Sequence, residues 1–158
     1  MSRRRLSKKR FCRYDPFYQS VLIQMFVNRI IRHGKKSLSY SIIYSVLQTI
    51  QKKTKAEPLP ILEHAIRKVS PTIQLKSRRV GGTNYQIPIE VDPCRRISLV
   101  IQWIILAAAM RPGRDIVARL SLEILDAANR NGGAIRKREE IHRIAEANKA
   151  FARYRFSM

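Results

Sequence analysis

Acidic residues are scarce in this chain, which has 11 Asp and Glu against 32 Lys and Arg in 158 residues and a net charge of +21 at pH 7. Self-repulsion of this size opposes a compact state, and solubility alone does not require it. The excess of positive charge indicates a polyanionic partner, nucleic acid in the first place and an anionic membrane surface in the second. The shortage of carboxylates also argues against paired acids for general acid–base catalysis.

Cysteine and histidine are equally few. Cys12 and Cys94 lie far apart and outside any C-x-x-C spacing, so we interpret them as free thiols of a reducing compartment. His33, His64 and His142 do not share a spacing such as H-x-x-x-H. The sequence also lacks a glycine-rich phosphate-binding loop. These absences predict a protein with no metal site, no cofactor and no enzymatic activity.

Long hydrophobic runs are missing as well. The longest, residues 99–110, contains Gln102 and is too short to span a bilayer, so we expect no membrane partner. No secretory signal is visible, and the Arg-rich start lacks the Ser-rich amphipathic extension of a transit peptide. Hydrophobic residues make up 45% of the chain, which is enough for one core. We predict a basic arm at residues 1–14, followed by a single domain at residues 15–158.

Apolar residues spaced three and four apart predict helices in the domain. Asp15-Pro16 and Asp92-Pro93 are typical of an N-cap followed by the first helical residue, and Ser37 is the expected cap of the second helix. The fourth helix is almost wholly apolar and is expected to form the core. The predicted helices are residues 18–32, 38–53, 61–69, 94–110, 115–130 and 134–151.

Two runs of alternating apolar and polar residues, 72–78 and 85–91, flank Gly81-Gly82 and predict a β-hairpin. The tip would present Arg78 and Arg79 to something outside the helical body. The side chains expected to share the apolar face are Ile73, Leu75, Ile87 and Ile89. The predicted fold class is therefore mainly α, a six-helix bundle with a projecting two-stranded β-hairpin and a basic N-terminal arm.

Basic residues cluster at the arm, in loops, at helix starts and at the hairpin tip, where a folded body can present them. Each one alone is typical of a solvated surface. As clusters without nearby acids they favour phosphate contacts over ion-pair networks. The cluster Arg136-Lys137-Arg138 puts positive charge at the N-terminus of its helix, where the helix dipole disfavours it, and such an unfavourable local arrangement can mark a functional site. The clusters are residues 3–13, Lys35-Lys36, Arg78-Arg79, Arg95-Arg96 and Arg136-Lys137-Arg138.

Aromatic residues near these clusters could stack on unpaired bases or belong to the core. We favour the core for Phe17 and Tyr18, and both interpretations stay open for Tyr85. A β-ribbon on a helical body is also typical of proteins that bend DNA from the minor groove. The separated basic clusters suit an irregular folded RNA better than a straight duplex. A nucleoid-type DNA-binding protein with a ribbon arm remains the alternative.

Several stretches, in order over nearly the whole chain, resemble the family of small-subunit ribosomal protein seven. The hairpin run KSRRVGGTNYQIPIEV at residues 76–91 is the most specific of them. The others are FVN at residues 26–28 with HGKKS at 33–37, RKREE at 136–140 with HRIAEANKAFA at 142–152, and SRRR at 2–5. The resemblance implies a helical bundle with a projecting hairpin. It also implies a structural protein that binds the 3′ major domain of small-subunit rRNA and initiates assembly of the subunit head.

Two groups of site residues are predicted. Carried over by position, the resemblance implies rRNA contacts at Arg3, Arg4, Arg5, Arg10, Lys35 and Lys36 and exit-site positions at Arg78, Arg79 and Arg143, and the basic clusters and the hairpin tip supply the other members. The positions expected to bind rRNA are Arg3, Arg4, Arg5, Lys8, Lys9, Arg10, Lys35, Lys36, Lys76, Arg95, Arg96, Arg136, Lys137 and Arg138. The positions expected to face tRNA and mRNA at the exit site are Arg78, Arg79, Gly81, Gly82, Tyr85 and Arg143. Ribosomal protein eleven is the neighbour expected there.

The resemblance also implies a location. The sequence RPGR at 111–114 and the linker at 53–59 resemble plastid members more than typical bacterial ones, whereas the apolar stretch at residues 103–110 departs from the family, in which more charge is expected there. We therefore expect the chain in the ribosome of the plastid stroma, with the bacterial cytoplasm as the alternative.

Overall fold

A computed structural model describes residues 12–80 and 82–155 of the chain. Within these residues, six α-helices enclose one hydrophobic core, and a two-stranded antiparallel sheet packs beside them. The elements in order are α1 (Val21–Ile30), α2 (Lys36–Thr54), α3 (Pro58–Val69), β1 (Ile73–Val80), β2 (Thr83–Glu90), α4 (Pro93–Met110), α5 (Ile116–Ala128), α6 (Gly133–Ala147) and a 3₁₀ helix (Lys149–Arg155). This arrangement confirms the predicted fold class. Most of the expected arm and the side chain of Cys94 lie outside the described residues.

Helix α5 lies at the centre of the bundle, in contact with α2, α3, α4 and α6. Its Leu120 and Ile124 are fully buried in the core. Helix α4 buries one face there, including Ile104, but leaves Leu106 and Met110 exposed on the other. The expectation that α4 is the core helix is therefore half right, because α5 occupies the central position and one side of α4 lines the surface.

The residues before α1 form one capped turn instead of the first turn of the helix. Asp15 Oδ2 accepts hydrogen bonds from the backbone N–H groups of Phe17 at 3.1 Å and Tyr18 at 2.9 Å. Asp15 thus caps this turn and not α1, whose N-cap is Ser20, so the prediction of Asp15 as a helix N-cap is wrong. Gln19 then adopts a φ of 50°, which does not continue a right-handed helix. Helix α1 consequently begins at Val21 and not at residue 18.

The starts of α2 and α3 also differ from the prediction. Helix α2 begins at Lys36 with Lys35 as its N-cap, so Ser37 lies inside the helix and is not the cap. Helix α3 begins at Pro58, within the expected linker. Proline suits the first turn of a helix because its missing N–H group would have no helical partner there.

The predicted last helix is divided into α6 and the 3₁₀ helix. The N–H group of Asn148 still bonds to the carbonyl of Ile144, four residues back, but that of Phe151 bonds to Asn148, three residues back. This change of spacing is the signature of a 3₁₀ helix. In the described part of the chain no helix is long and apolar enough to cross a membrane. Nor do its His, Cys, Asp and Glu residues form a group of three or more that could hold a metal ion.

Candidate RNA-binding surface

The corner between α1 and α2 presents Lys35 and Lys36. The chain turns there through His33 and Gly34, both with positive φ angles. Lys35 precedes α2 as its N-cap and Lys36 is its first residue, and both are exposed. The Nζ atom of Lys36 lies 5.6 Å from the ring centre of Tyr40, a cation–π contact. The structure therefore places this pair at a helix–turn–helix corner, as predicted.

The hairpin has a longer ladder and a tighter turn than predicted. Val80 lies opposite Thr83, which leaves Gly81-Gly82 as a two-residue connection. Gly81 itself lies outside the described residues. Because cross-strand partners share a face of the sheet, this register decides which side chains act together.

The single apolar face predicted for the hairpin is wrong. Ile87 lies opposite Lys76, and Leu75 lies opposite Pro88, so the apolar residues of the two strands point to opposite sides. The inner face carries Gln74, Lys76, Arg78, Tyr85, Ile87 and Ile89. The outer face carries Ile73, Leu75, Ser77, Arg79, Asn84, Gln86 and Pro88.

The inner face packs against the 3₁₀ helix, which contacts β2. Ile87 is fully buried, and the ring of Tyr85 lies 4.7 Å from that of Phe151. Tyr85 is therefore engaged within the molecule on one side. Arg78 is half-buried on this same face, whereas Arg79 is exposed on the outer face. The two arginines near the tip point in opposite directions and do not form one patch.

The start of α4 carries two arginines, one that is exposed and one that is hydrogen-bonded within the protein. Arg95 is exposed in the first turn. Arg96 is half-buried, and its guanidinium donates a hydrogen bond of 3.2 Å to the carbonyl of Val91. Arg96 thus closes the join between β2 and α4, and Arg95 is the better placed of the two for a phosphate.

The basic cluster of α6 is partly neutralised within the protein. Lys137 Nζ lies 2.8 Å from a carboxylate oxygen of Glu140, and this hydrogen bond lowers the pKa of Glu140. Arg138 donates to the carbonyl of Lys68 at the end of α3 and pairs with Glu139 at 3.5 Å. The expectation that acids do not offset the clusters is therefore wrong for α6.

A buried carboxylate resolves the conflict between this cluster and the helix dipole. Glu123 of α5 is fully buried, and its Oε1 accepts a hydrogen bond of 2.9 Å from the N–H group of Ala134 in the first turn of α6. Negative charge at a helix N-terminus is favourable. Glu123 therefore caps α6 from another helix and supplies the anion that the local sequence lacks.

Arg111 holds the same carboxylate from the other side. Its Nε lies 2.5 Å from Glu123 Oε2, and its Nη2 lies 2.5 Å from Asp126 Oδ2. Burial alone lowers the pKa of Arg111, but the hydrogen bonds to Asp126 and Glu123 outweigh it and raise the pKa. This network joins the end of α4, the middle of α5 and the start of α6. Sequence reasoning missed it, and its one signal was the misplaced positive charge at the start of α6.

An open groove of about 1880 Å³ runs between α4 and α6 and collects part of the predicted site. Trp103 and Leu106 line it on the α4 side, and Arg136, Lys137 and Arg143 line it on the α6 side. The structure thus places Arg143 in the same groove as the cluster of α6 that is predicted to bind rRNA.

The predicted basic site residues fall into four groups. Lys137 and Arg138 pair with acidic side chains. The predicted residues that are exposed and outside the ion pairs of the described residues are Lys35, Lys36, Lys76, Arg79, Arg95, Arg136 and Arg143. Arg78 and Arg96 are half-buried. The arm residues Arg3, Arg4, Arg5, Lys8, Lys9 and Arg10 lie outside the described part of the chain.

Comparison with known proteins decides among the nucleic-acid interpretations. The family model of ribosomal protein S7p/S5e matches residues 2–149. The chain belongs to this family. It is 51% identical over 156 residues to the small ribosomal subunit protein uS7c of Tupiella akineta, covering 99% of this chain and 100% of that protein. It is 50% identical over 155 residues to the protein of the same name from Nephroselmis olivacea, covering 98% of this chain and 99% of that protein.

Membership confirms the resemblance seen in the hairpin and in the first and last helices. The chain is a structural constituent of the small ribosomal subunit and not an enzyme. Its exposed positive charge therefore lies on a protein of a ribonucleoprotein particle.

Proposed function

We propose that the chain binds the 3′ major domain of the small-subunit rRNA and initiates assembly of the subunit head in a plastid ribosome. The supporting observation is the distribution of exposed cations. They lie at the α1–α2 corner, on the hairpin and at the starts of α4 and α6, in four separate parts of one helical body. A protein with phosphate contacts on several sides holds the arms of an RNA junction together.

The plastid location rests on the relatives, which carry the name uS7c, and on the plastid-like stretches at residues 53–59 and 111–114. The expected compartment is the stroma, with the bacterial cytoplasm as the alternative. Binding to rRNA and to neighbouring ribosomal proteins follows from a place in the small subunit.

A second part of the proposal concerns the exit site. The hairpin and α6 contact each other, so the two elements that carry Arg79 and Arg143 are neighbours. This region is proposed to face the exit-site tRNA and the upstream mRNA, next to ribosomal protein eleven. The hairpin tip would approach RNA at Gly81-Gly82, where side chains do not obstruct contact.

A competition assay tests the rRNA proposal. The full chain is bound to a labelled rRNA fragment containing the 3′ major domain, and duplex DNA of equal charge competes at fixed salt. We expect the rRNA to be preferred, because the cations are arranged around an irregular surface. Tighter binding to the duplex would contradict the proposal and support the DNA-bending alternative, against which the packed inner face of the hairpin already argues.

The exit-site proposal has its own test. Ribosomes carrying Arg78→Ala with Arg79→Ala are expected to assemble normally but to lose reading-frame maintenance. The single change at exposed Arg79 should account for most of the loss, and the change at half-buried Arg78 for less. Loss of rRNA binding by the free double variant would contradict this division of roles.

A further inference from the structure

Phe17 is a large aromatic residue whose side chain is exposed to solvent in the folded protein. It is 75% exposed, and the neighbouring Tyr14 is 70% exposed. The expectation that Phe17 belongs to the core is therefore wrong. Tyr18, by contrast, packs against the core as expected. Placing two aromatic side chains in water forgoes their hydrophobic stabilisation, which suggests that a partner covers them.

The Phe17 ring is held in a fixed position. It meets Tyr18 edge to face with ring centres 4.9 Å apart, and it lies 5.8 Å from the ring of Tyr44. Tyr44 in turn lies 5.8 Å from Tyr40 on the next turn of α2. We call the rings of Phe17, Tyr18, Tyr40 and Tyr44 the aromatic ledge.

Asp15 fixes the backbone under the aromatic ledge. One of its oxygens accepts the N–H groups of Phe17 and Tyr18, and the other accepts the hydroxyl of Tyr44 at 2.9 Å. Asp15 is 1% exposed. A residue presented by such a turn loses little conformational freedom when it binds, so the ring is preorganised for contact.

The charge around the aromatic ledge indicates what covers it. Asp15 is the one acid in the first 56 positions of the sequence, and it is buried with its oxygens engaged. Arg13, four residues before Phe17 in the sequence, is exposed, and Lys36 lies over the Tyr40 ring of the ledge. Aromatic faces bordered by cations are typical of sites where bases stack and phosphates lie alongside.

We propose that Phe17 is the stacking platform for an unpaired base of the small-subunit rRNA, with the adjoining phosphates at Arg13 and Lys36. This inference rests on the proposed rRNA binding and adds a base contact to it. The contact would make the corner sensitive to the presence of a flipped or bulged nucleotide, whereas phosphate contacts alone are insensitive to base identity and stacking.

The first test compares variants of the full chain in binding to the rRNA fragment. Phe17→Ala should weaken binding about tenfold, within the range for one stacked base. Phe17→Tyr keeps a π face and should bind like the wild type, whereas Phe17→Leu keeps apolar bulk without that face and should bind like Phe17→Ala. Leu122→Ala removes an exposed apolar residue of α5, away from the aromatic ledge and not among the residues that line the α4–α6 groove, and serves as the matched control, with no change expected.

Salt dependence separates stacking from charge. The slope of log K against log salt should be unchanged by Phe17→Ala, since every phosphate keeps its cation, and should become shallower with Lys36→Gln. Irradiation of the wild-type complex should attach a nucleotide to Phe17, as identified by mass spectrometry. Circular dichroism of each variant checks that the fold is retained.

Several results would overturn the inference. The first is wild-type affinity of Phe17→Ala for the rRNA fragment together with no cross-link at Phe17. The second is wild-type affinity of Phe17→Leu for the fragment. The third is that Phe17→Ala loses binding only to anionic vesicles or only to a second ribosomal protein, and not to the fragment. Each leaves the rRNA proposal standing, because the wild-type chain still binds the fragment. Failure of the wild-type chain to bind the fragment would instead contradict the proposed function itself.

Discussion

Two buried carboxylates, Asp15 and Glu123, organise two positively charged regions of the molecule with different partners. Asp15 accepts from neutral donors, the backbone of Phe17 and Tyr18 and the hydroxyl of Tyr44. Glu123 accepts from Ala134 and from the guanidinium of Arg111. In the region of Asp15, the exposed cations Arg13, Lys35 and Lys36 are outside the ion pairs of the described residues. In the region of Glu123, Arg111, Lys137 and Arg138 pair with acidic side chains of the protein itself.

The difference shows that the number of positive residues in a region is a poor measure of the charge offered to RNA. Arg136-Lys137-Arg138 is the denser cluster in sequence, but two of its three members pair with acids. The Lys35-Lys36 corner is smaller, and its first helical turn contains no acid. We therefore expect the N-terminal corner to contribute more to affinity per residue, and the start of α6 to contribute a fixed orientation.

The largest expected effect is on stability, from Glu123→Ala. The change leaves the N–H group of Ala134 uncapped and Arg111 with one carboxylate in place of two, so the free energy of unfolding should fall by about 3 kcal/mol. Chemical denaturation measures the loss. The matched control is Glu140→Ala, an exposed acid on α6, which should leave the midpoint unchanged. Equal midpoints for the two variants would show that Glu123 does not anchor α6.

Glycine substitutions at the two corners give the next effect. At Gly132, φ is 101° and an added Cβ would lie 2.8 Å from Glu123 Oε1, so Gly132→Ala should cost about 2–3 kcal/mol from strain and displacement of the carboxylate. At Gly34, φ is 73° but no described atom lies within 4 Å of the Cβ position, so Gly34→Ala should cost about 1 kcal/mol. Thermal unfolding ranks the pair. A greater loss of thermal stability for Gly34→Ala than for Gly132→Ala would contradict this ranking.

Lysine changes compare the two regions in RNA binding. Lys35→Gln with Lys36→Gln should make the salt dependence of rRNA affinity shallower by about 1 in slope for each phosphate that is no longer neutralised. Lys137→Gln should change it less, because Lys137 is already paired with Glu140 at 2.8 Å. A titration at several salt concentrations gives the slopes. A larger change for Lys137→Gln would mean that the pair opens to bind phosphate.

The smallest effect concerns Tyr44. Burial, and then the hydrogen bond to Asp15, raise its pKa to about 12 from an ordinary value of 10. The raised pKa favours the neutral phenol in the folded state, so its stabilisation is complete below pH 10 and is lost as the pH rises through about 12. The ¹³C signal of the Tyr44 ring reports the titration. Asp15→Asn should lower the pKa of Tyr44 but leave it above the ordinary value, because burial remains. Titration of wild-type Tyr44 at the ordinary value would contradict the burial of its hydroxyl and its hydrogen bond to Asp15.

Local sequence patterns predicted the helices and the hairpin well, because apolar spacing and the Gly81-Gly82 turn are local signals. They did not predict which face of the hairpin is covered. That depends on the register set by a two-residue turn, which puts Ile87 opposite Lys76. They also missed the late start of α1. The positive φ of Gln19 follows the Asp15 turn, which is held by a hydrogen bond from Tyr44 on another helix.

The candidate site shows the same limit. The basic clusters are visible in the sequence, and the structure places Lys35-Lys36 and Arg95 on the surface as predicted. Which cations are engaged internally depends on tertiary neighbours. Arg138 reaches the end of α3, and Glu123 reaches α6 from α5, and neither spacing is recognisable along the chain.

One measurement tests most directly whether the two regions offer their charge differently: the amine reactivity of each lysine in the free chain and in its complex with the rRNA fragment, read by mass spectrometry. Lys35, Lys36 and Lys76 should lose reactivity on binding much more than the paired Lys137, with Lys52 at the far end of α2 as an unchanged reference. Strong protection of Lys137 with unchanged reactivity at Lys35 and Lys36 would contradict the central claim.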